Sequence, residues 1–365
     1  MKIAVLRANG LGDLVFSLPA LEALRARHPG AEIVLLGTRA AAELLGSRPS
    51  PVDRVVPVPA LPGVYEDGEH EENPLAVDAF LERMRAERFD LALQMHGGGR
   101  ASNPFVARLG ARTTAGFRSP DALPLDRWLP YVYLQPEILR YLELVALVGA
   151  EPVTLAPRLA VTEADRRAAA GVLAGDGPFA LLHPGATDRR RRWPPSCFAR
   201  VGDALAARGV TVLVNSGPSD REQAAAVCQA MHAPARIVAL GVQGLVGALA
   251  GAGIVVGNDS GPLHMAAAVG TPTVGLYWAQ NAVNSPPPWR ARHRPLAAFD
   301  IACPICGADN LRGECEHHAS FLTGIRVDEV TAAATELLGG TPDDDGALER
   351  ALDARAARER APLPR

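Results

Sequence analysis

Four short segments combine polar side chains with glycine or cysteine in patterns that suit ligand binding. They are RANGLGD at 7–13, HPGATDRRRRWP at 183–194, GNDSGPLH at 257–264 and CPICGADNLRGECEHH at 303–318. The first three follow apolar runs typical of buried strands, and glycine there lets the backbone come close to a ligand. They predict ligand sites at the ends of strands. The fourth predicts either a metal site or a cluster of reduced thiols.

The first segment is open to a structural and a catalytic interpretation. Asp13 follows Gly10 and Gly12 where a helix is expected to begin, and a lone Asp there most often caps the helix. A dinucleotide fingerprint would need a third glycine where the sequence has Val15, so that pattern is weak. The position directly after the first strand favours a functional role, because open α/β sheets bind ligands at the carboxyl ends of their strands.

The second segment carries four consecutive arginines, Arg189–Arg192. The hydroxyl of Thr187, backbone N–H groups and a guanidinium that converge at a strand-to-helix turn suit a diphosphate. A solvated basic loop is the alternative, because four adjacent arginines cannot all point inward. We expect Arg191 to bind the anion, since it lies two residues before Trp193, where the next helix begins, and we expect Arg189 and Arg190 to be solvated.

The third segment predicts a site for a phosphorylated sugar. A helix that begins at Ser260 and Gly261 offers unpaired N–H groups and the positive end of its dipole to an anion. The carboxylate of Asp259 would repel a phosphate, so we expect it to bind hydroxyl groups. His264, one turn into the helix, is equally consistent with a ligand contact and with a hydrogen-bonded core histidine.

The fourth segment contains a set of residues that zinc prefers. Cys303, Cys306, Cys315 and His317 offer three sulfurs and an imidazole, which together can form a tetrahedral site. The second C-x-x-C pair that would make the pattern specific is missing, so a reduced, metal-free cluster is the alternative. The remaining cysteines lie in helical runs and are expected in the core.

Strand and helix patterns alternate along the whole chain. Strands are predicted at 2–7, 31–37, 89–95, 178–183, 210–215, 236–240, 253–258 and 272–277, and helices at 13–28, 197–208, 219–231, 243–251 and 262–269. This alternation predicts an α/β protein with parallel sheets covered by helices on both faces. A Pro- and Gly-rich stretch at 151–178 marks a boundary, so we expect domains at 1–158 and 159–335 and a charged tail at 336–365.

Length and composition exclude several classes of protein. A chain of 365 residues with 48% hydrophobic residues is long enough for two domains, and its net charge of −3 gives no drive towards nucleic acid or anionic lipid. No apolar run reaches the roughly 18 residues that a membrane span needs, and residues 1–8 are too short for a signal peptide. We therefore expect a soluble, cytoplasmic protein without a nucleic-acid partner. Lys2 is the single lysine, so cationic site residues should be arginines.

Taken together, the motifs resemble those of the family 9 glycosyltransferases, typified by the ADP-heptose:lipopolysaccharide heptosyltransferases. The matching blocks are RANGLGDLVFSLPAL at 7–21, FDLALQMHGG at 89–98, RTTAGF at 112–117, HPGATDRRRRWP at 183–194 and NDSGPLHMAAAVGTPTVGLY at 258–277. They follow one another in order, and the resemblance covers nearly all of residues 1–330. It implies an α/β GT-B fold, in which two Rossmann-like domains face each other across a central cleft.

The same resemblance implies roles for individual residues. It makes the N-terminal domain the acceptor-binding one, with Asp13 as catalytic base and acceptor contacts at Asn9, Gly10, Gly12, His96 and Arg100. It makes the C-terminal domain the nucleotide-sugar domain, with donor contacts at Thr187, Arg191, Asp220, Asp259, Ser260, Gly261 and His264. Two residues depart from the family pattern: Arg191 replaces a lysine and keeps the charge, and Asp220 replaces a glutamate that would hold the ribose.

The function implied is an inverting glycosyltransferase that moves a sugar, heptose in this family, from a nucleotide-diphosphate donor such as ADP-heptose. The acceptor would be a hydroxyl or amine of a small molecule or glycan, and catalysis would need no cofactor; zinc, if bound, would be structural. A sugar-nucleotide epimerase or hydrolase of the same fold is the first alternative. A non-catalytic carbohydrate-binding relative is the second. An NAD(P)-dependent oxidoreductase is disfavoured by Val15 and by the arginine-rich loop.

Overall fold

The described residues of this computed structural model fold into two compact units, with the change between Ala160 and Val161. The structure describes residues 1–46, 48–66, 73–173, 178–311, 313, 315–317 and 319–339. The predicted charged tail therefore lies outside the described residues from position 340 onward. We call residues 1–160 the N-terminal unit and the described residues from 161 the C-terminal unit.

A six-stranded parallel sheet forms the centre of the N-terminal unit. In chain order its strands are β1 (Lys2–Leu6), β2 (Glu32–Gly37), β3 (Arg54–Pro57), β4 (Leu91–Gln94), β5 (Thr113–Arg118) and β6 (Arg127–Pro130). Its helices are α1 (Leu11–Arg27), α2 (Arg39–Leu45), α3 (Pro74–Ala86), α4 (Ser102–Ala107) and α5 (Glu137–Ala146). The central strands are buried because helices cover a parallel sheet on both faces, which explains the continuous apolar run at β1.

The C-terminal unit repeats this architecture with a second six-stranded parallel sheet. Its strands are β7 (Phe179–His183), β8 (Thr211–Asn215), β9 (Ala235–Val238), β10 (Ile254–Asn258), β11 (Thr273–Trp278) and β12 (His293–Ala298). Its helices are α6 (Glu163–Ala170), α7 (Pro195–Ala206), α8 (Arg221–Ala230), α9 (Val242–Gly251), α10 (Gly261–Ala268), α11 (Asn281–Asn284) and α12 (Val327–Gly339), with a short 3₁₀ helix at Arg189–Arg191.

Strand order locates the place in each unit where a ligand can bind. The sheets run β3-β2-β1-β4-β5-β6 and β12-β11-β10-β7-β8-β9, so each unit has the Rossmann order. In each sheet the chain first adds strands on one side of the first strand, β1 or β7, and then crosses to add strands on its other side. The switch in strand order therefore lies between β1 and β4, and between β7 and β10. At such a switch point the loops after the two strands separate and leave a crevice. The predicted segments at 7–13, 183–194 and 257–264 all follow strands that flank these points.

The helix-cap interpretation of Asp13 is wrong. Helix α1 begins at Leu11, its N-cap is Gly10, and Asp13 is the third residue of its first turn. A carboxylate there still gains from the positive end of the helix dipole. Its side chain is directed instead to Arg7, as described below.

Buried histidines make the stability of this fold sensitive to acid. His293 on β12 is 3% exposed, and its Nδ1 lies 2.8 Å from the hydroxyl of Thr273. Burial, assisted by the charges of Arg292 and Arg294, lowers the pKa of His293 to about 4. Since the unfolded chain then binds more protons than the folded chain between pH 6.5 and 4, stability falls as the pH falls through this window.

We expect His293 alone to cost about 2 kcal/mol of folding free energy between pH 7 and pH 5. Urea unfolding at the two pH values, followed by tryptophan fluorescence, measures the loss. His293→Asn removes the titrating ring and keeps a hydrogen-bonding group near Thr273, so its loss should be smaller than that of the wild type. An equal loss in both proteins would contradict this assignment.

None of the helices in the described part of the chain combines the length and the apolar character that a membrane crossing requires.

Candidate functional site

Arg7 organises the switch point of the N-terminal unit. It follows β1 directly, and its side chain is 3% exposed. Its Nε donates to the carbonyl of Asp13 at 3.1 Å, its Nη1 to the carbonyl of Met95 at 2.8 Å, and its Nη2 to Oδ1 of Asp13 at 2.8 Å. The guanidinium therefore ties the loop after β4 to the first turn of α1. It thereby fixes the position of Asp13 and occupies one oxygen of its carboxylate with a hydrogen bond.

Asp13 itself remains accessible. Its side chain is 41% exposed. The second oxygen, Oδ2, accepts no hydrogen bond from the part of the chain that the structure describes. A carboxylate that is held on one side and open on the other can receive a proton from an incoming group.

A second carboxylate near Arg7 is held differently. Glu137, at the start of α5, lies 3.8 Å from Nη2 of Arg7 through its Oε2, and the hydroxyl of Tyr141 donates to the same oxygen. Its other oxygen accepts from Arg140, a buried guanidinium that also donates to the carbonyls of Val132 and Tyr133 at 2.8 Å each. Glu137 is thus part of the scaffold, which leaves Asp13 as the accessible carboxylate of this group.

The five predicted acceptor residues occupy different environments. Asn9 and His96 are half-buried, Gly12 is buried, and Gly10 and Arg100 are exposed. Nδ1 of His96 accepts from the backbone N–H of Ala8 at 3.4 Å, so the loop after β4 lies against the loop after β1. Burial, with the nearby charge of Arg7, lowers the pKa of His96 to about 4, so its ring is neutral near pH 7. Arg100 lies 3.6 Å from the carboxylate of Asp121.

In the C-terminal unit a buried amide connects the two loops of the switch point. Asn258, at the end of β10, is completely buried. Its Nδ2 donates to the carbonyl of Pro184 at 2.8 Å, and its Oδ1 accepts from the backbone N–H of Trp193 at 3.1 Å. Both ends of the arginine-containing loop are therefore attached to the strand that carries Asp259.

Asp259 is the centre of an ionic network. Its side chain is 4% exposed; Oδ1 lies 2.8 Å from Nε2 of His264, and Oδ2 accepts from Arg191 at 2.9 Å and from Asn281 at 2.8 Å. Burial alone would raise the pKa of Asp259, but the bond to His264 and the charges of His264 and Arg191 outweigh it and lower the pKa. Both carboxylate oxygens thus have protein partners, and a sugar hydroxyl would have to share or displace one of them.

The four arginines separate into distinct roles. Arg191 pairs with Asp259, whereas Arg189 is exposed. The expectation that Arg190 is solvated is wrong. Its guanidinium donates to Asp188 at 2.9 Å, bonds to the carbonyl of Asn310 at 3.4 Å and lies 5.1 Å from the ring centre of Trp278. These three contacts give Arg190 a structural role, and the electrostatic attraction between its guanidinium and the indole face adds to the stability of the loop.

Asp220 lies close to the loop after β7. Gly185 approaches it so closely that a Cβ at position 185 would lie 2.3 Å from the Asp220 carboxylate, which explains why glycine is needed there. Asp220 also lies 3.9 Å from Nη2 of Arg192, whose Nε donates to the carbonyl of Ala186 at 2.7 Å. The structure therefore brings Asp220 to the same loop as Thr187, whose side chain is exposed.

A buried histidine lies beneath this loop. His183 ends β7, and its Nδ1 lies 3.0 Å from Nδ2 of Asn215. Burial lowers the pKa of His183 to about 4, against the opposing charge of Asp220. It is therefore neutral near pH 7 and adds no charge to the anion site.

The start of α10 offers backbone donors beside this network. Ser260 is the N-cap of α10, but its hydroxyl donates to the carbonyl of Asn258 at 2.9 Å and caps no helix N–H group. Gly261 and Pro262 follow, and all three are half-buried. The unpaired N–H groups at the start of a helix can receive an anion, and Arg191 lies nearby, since it binds the neighbouring residue Asp259.

The predicted cysteine–histidine set comes together in the C-terminal unit. The ligand atoms of Cys303, Cys306, Cys315 and His317 all lie within 4.8 Å of one another. Hydrogen bonds from the backbone of His317, the side chain of Asn310 and the ring of His317 lower the pKa of Cys315 to about 6. Cys197 and Cys228, expected in the core, are half-buried at its edge.

Several residues that position the candidate side chains Asp13 and Asp259 were not predicted from the sequence. They are the residues that contact Asp13, Arg7 or Asp259: Arg7, Glu137, Tyr141 and Asn281. An arginine at the end of a buried strand, directly before a glycine-rich turn, was a signal available for Arg7. The others lie far along the chain from their partners, and no local spacing connects them.

The fold and these two strand-end sites define a class of α/β proteins that bind nucleotides and other phosphorylated ligands at sheet switch points. A family model described as glycosyltransferase family 9 (heptosyltransferase) matches residues 77–309. The chain belongs to this family and is a glycosyltransferase.

Individual relatives match most of this chain in sequence or in structure. Lipopolysaccharide heptosyltransferase 2 of Salmonella typhimurium is 26% identical over 308 residues, which are 79% of this chain and 85% of that protein. The family 9 glycosyltransferase of Veillonella parvula has a TM-score of 0.74 at 20% identity, covering 92% of this chain and 97% of its own. Escherichia coli ADP-heptose LPS heptosyltransferase II has a TM-score of 0.73 at 22% identity, covering 93% and 98%. The predicted GT-B fold class is confirmed.

Proposed function

We propose that this chain is a heptosyltransferase that moves a heptose from ADP-heptose to a hydroxyl or amine acceptor. The observation that carries the proposal is the Arg191–Asp259–His264 network beside the first turn of α10, at the switch point of the C-terminal unit. The donor identity is supported by the relative whose name includes ADP-heptose. In this proposal the C-terminal unit binds the donor and the N-terminal unit binds the acceptor.

The diphosphate would be bound by groups that are already in place. Arg191 and the N–H groups of Ser260 and Gly261 present positive charge together, and Thr187 adds a hydroxyl. These groups would also stabilise the charge that develops on the leaving diphosphate, which is the role a divalent cation performs in many other transferases. We therefore propose that the chemical step needs no metal ion.

Asp259 and Asp220 would bind the hydroxyl-bearing parts of the donor. Asp259, with His264, would accept from a sugar hydroxyl at the cost of its bond to Asn281 or Arg191. Asp220 would accept from the ribose, since it lies against Gly185 in the loop that carries Thr187.

Asp13 would act as the general base. It would accept a proton from the acceptor group as that group attacks the anomeric carbon, and Arg7 would hold the carboxylate throughout. With Glu137 engaged by Arg140 and Tyr141, Asp13 is the single open carboxylate of this group, which suits one direct displacement with inversion. Asn9, Gly10, Gly12, His96 and Arg100 would bind the acceptor around it.

A thermal-shift panel tests the donor assignment. We expect ADP-heptose at saturating concentration to raise the unfolding temperature by several degrees, and UDP- and GDP-sugars to raise it less. NAD⁺ and NADH serve as controls for the oxidoreductase alternative. Stabilisation by NADH alone would overturn the proposal. Release of free heptose, or epimerisation of the donor without an acceptor, would favour the hydrolase or epimerase alternative.

A further inference from the structure

We infer that Cys303, Cys306, Cys315 and His317 bind one structural zinc ion, and that this ion stabilises the arginine-rich loop of the C-terminal unit. The inference rests on the geometry of the cluster and on the hydrogen bonds between the surrounding segment, residues 310–325, and that loop. It is independent of which sugar nucleotide the protein uses.

The four ligand atoms are close to the arrangement that zinc requires. Zinc–sulfur bonds of about 2.3 Å in a tetrahedron place two sulfurs about 3.8 Å apart. The ligand atoms of this cluster lie within 4.8 Å of one another, so the four side chains need to move by an ångström or less to bind the ion. Three cysteines and one histidine form a closed ligand set of the kind found in structural zinc sites.

The backbone that carries the cysteines is already folded into a tight turn. The N–H of Gly307 donates to the carbonyl of Cys303 at 2.8 Å, and the N–H of Cys303 donates to the carbonyl of Ala308 at 2.9 Å. Gly307 has a φ of +73°, a conformation that glycine adopts without strain. This turn directs both sulfurs of the C-x-x-C pair to one side.

A buried amide brings the third cysteine to this turn. Asn310 is 3% exposed, and its Nδ2 lies 2.9 Å from the carbonyl of Ala308 and 3.5 Å from Sγ of Cys315. Its Oδ1 accepts from the backbone N–H of Cys315 at 3.4 Å. An amide N–H beside a ligand sulfur is a common outer partner of metal thiolates, since it stabilises their charge.

The segment that contains the cluster is also hydrogen-bonded to the arginine-rich loop. The carbonyl of Asn310 accepts from Arg190, the N–H of Phe321 donates to the carbonyl of Arg190 at 2.9 Å, and the hydroxyl of Ser320 donates to the carbonyl of Arg192 at 2.6 Å. The indole of Trp193 donates to the carbonyl of Ile325 at 3.1 Å. These bonds join residues 190–193 to residues 310–325.

Zinc binding would therefore stabilise more than the cysteines. A bound ion would join residues 303–306 to residues 315–317. It would thereby stabilise the start of residues 310–325, the segment that is hydrogen-bonded to the backbone on both sides of Arg191. Without the ion, this segment and the arginine-rich loop should open more often.

Metal analysis of the full-length protein tests the site. After purification and incubation with ZnSO₄ followed by gel filtration, we expect one zinc per chain. Cys306→Ser and Cys315→Ser should lose this zinc, whereas Cys197→Ser and Cys228→Ser should retain it, since those cysteines lie in α7 and α8. The cobalt-substituted wild type should show the visible spectrum of a tetrahedral thiolate site, and Cys228→Ser should show the same.

Trypsin digestion tests the effect on the loop. We expect cleavage after Arg189–Arg192 to be about tenfold faster in Cys306→Ser than in Cys228→Ser under native conditions. Wild-type protein without zinc after incubation, iron in its place, or full zinc content in Cys306→Ser would overturn the zinc site. Equal cleavage rates in zinc-loaded and zinc-free protein would overturn its role in stabilising the loop.

Discussion

Replacing Asp13 by Asn lowers the turnover number by about 10²- to 10⁴-fold and leaves donor affinity unchanged, if Asp13 is the general base. Asn keeps an oxygen that accepts from Nη2 of Arg7, so the position of the side chain is preserved. What it loses is the ability to accept a proton from the acceptor group. Steady-state kinetics with saturating donor and acceptor measure the turnover, and calorimetry measures the donor affinity.

A matched substitution separates this effect from a general loss of charge. Asp78 on α3 is an exposed, ion-paired carboxylate of the same unit, with Oδ1 bound to Arg108. Asp78→Asn should keep wild-type turnover. If Asp13→Asn retains turnover within about threefold of the wild type, then Asp13 is not the base.

Replacing Arg191 by Ala should weaken donor binding by about 10- to 150-fold. This range corresponds to about 1.5–3 kcal/mol for the loss of one charge-assisted contact to a diphosphate. Arg191→Lys keeps the positive charge but changes its geometry, so it should lose less affinity. Titration calorimetry with the nucleotide-sugar donor gives all three dissociation constants.

The adjacent arginines provide the controls. Arg189 is exposed, and Arg189→Ala should change donor affinity by well under 1 kcal/mol. Arg190 is unsuitable as a neutral control, because it binds Asp188 and lies over Trp278. Arg190→Ala should lower the unfolding temperature instead. Equal losses of donor affinity in Arg189→Ala and Arg191→Ala would mean that the loop binds the donor diffusely.

The central strands could be predicted from sequence because burial leaves a simple signature. The runs that became β1, β2, β7, β10 and β11 are continuously apolar, as a strand covered on both faces must be. Four strands were not predicted. Three of them, β3, β6 and β12, lie at sheet edges, and each contains a proline. The fourth, β5, is internal, but its sequence, TTAGFR, is not a continuous apolar run. Proline is tolerated in an edge strand because no neighbouring strand needs its missing N–H. In the sequence, however, a proline argues against a strand, so these edge strands could not be predicted from residue propensity.

Candidate site residues could be selected from the sequence where one loop carries several polar groups. Asp13, Arg191, Asp259 and the four residues of the cysteine–histidine cluster each lie in a short segment with glycine, proline or cysteine at informative positions. The residues that hold them could not be predicted in this way. Glu137 contacts Arg7 only because α5 packs against α1, and Asn281 reaches Asp259 from the start of α11, the helix that follows β11. Such contacts depend on helix packing and strand order, which local spacing does not encode.

The anomeric configuration of the product decides whether the proposed displacement takes place. The wild-type protein is incubated with ADP-heptose and a panel of hydroxyl- and amine-bearing glycans, without added divalent cation, and the purified product is analysed by NMR. We predict one heptose transferred per ADP released, with the configuration at the anomeric carbon opposite to that in the donor. Transfer with retained configuration, or ADP release that yields only free heptose, would contradict the general-base displacement assigned to Asp13.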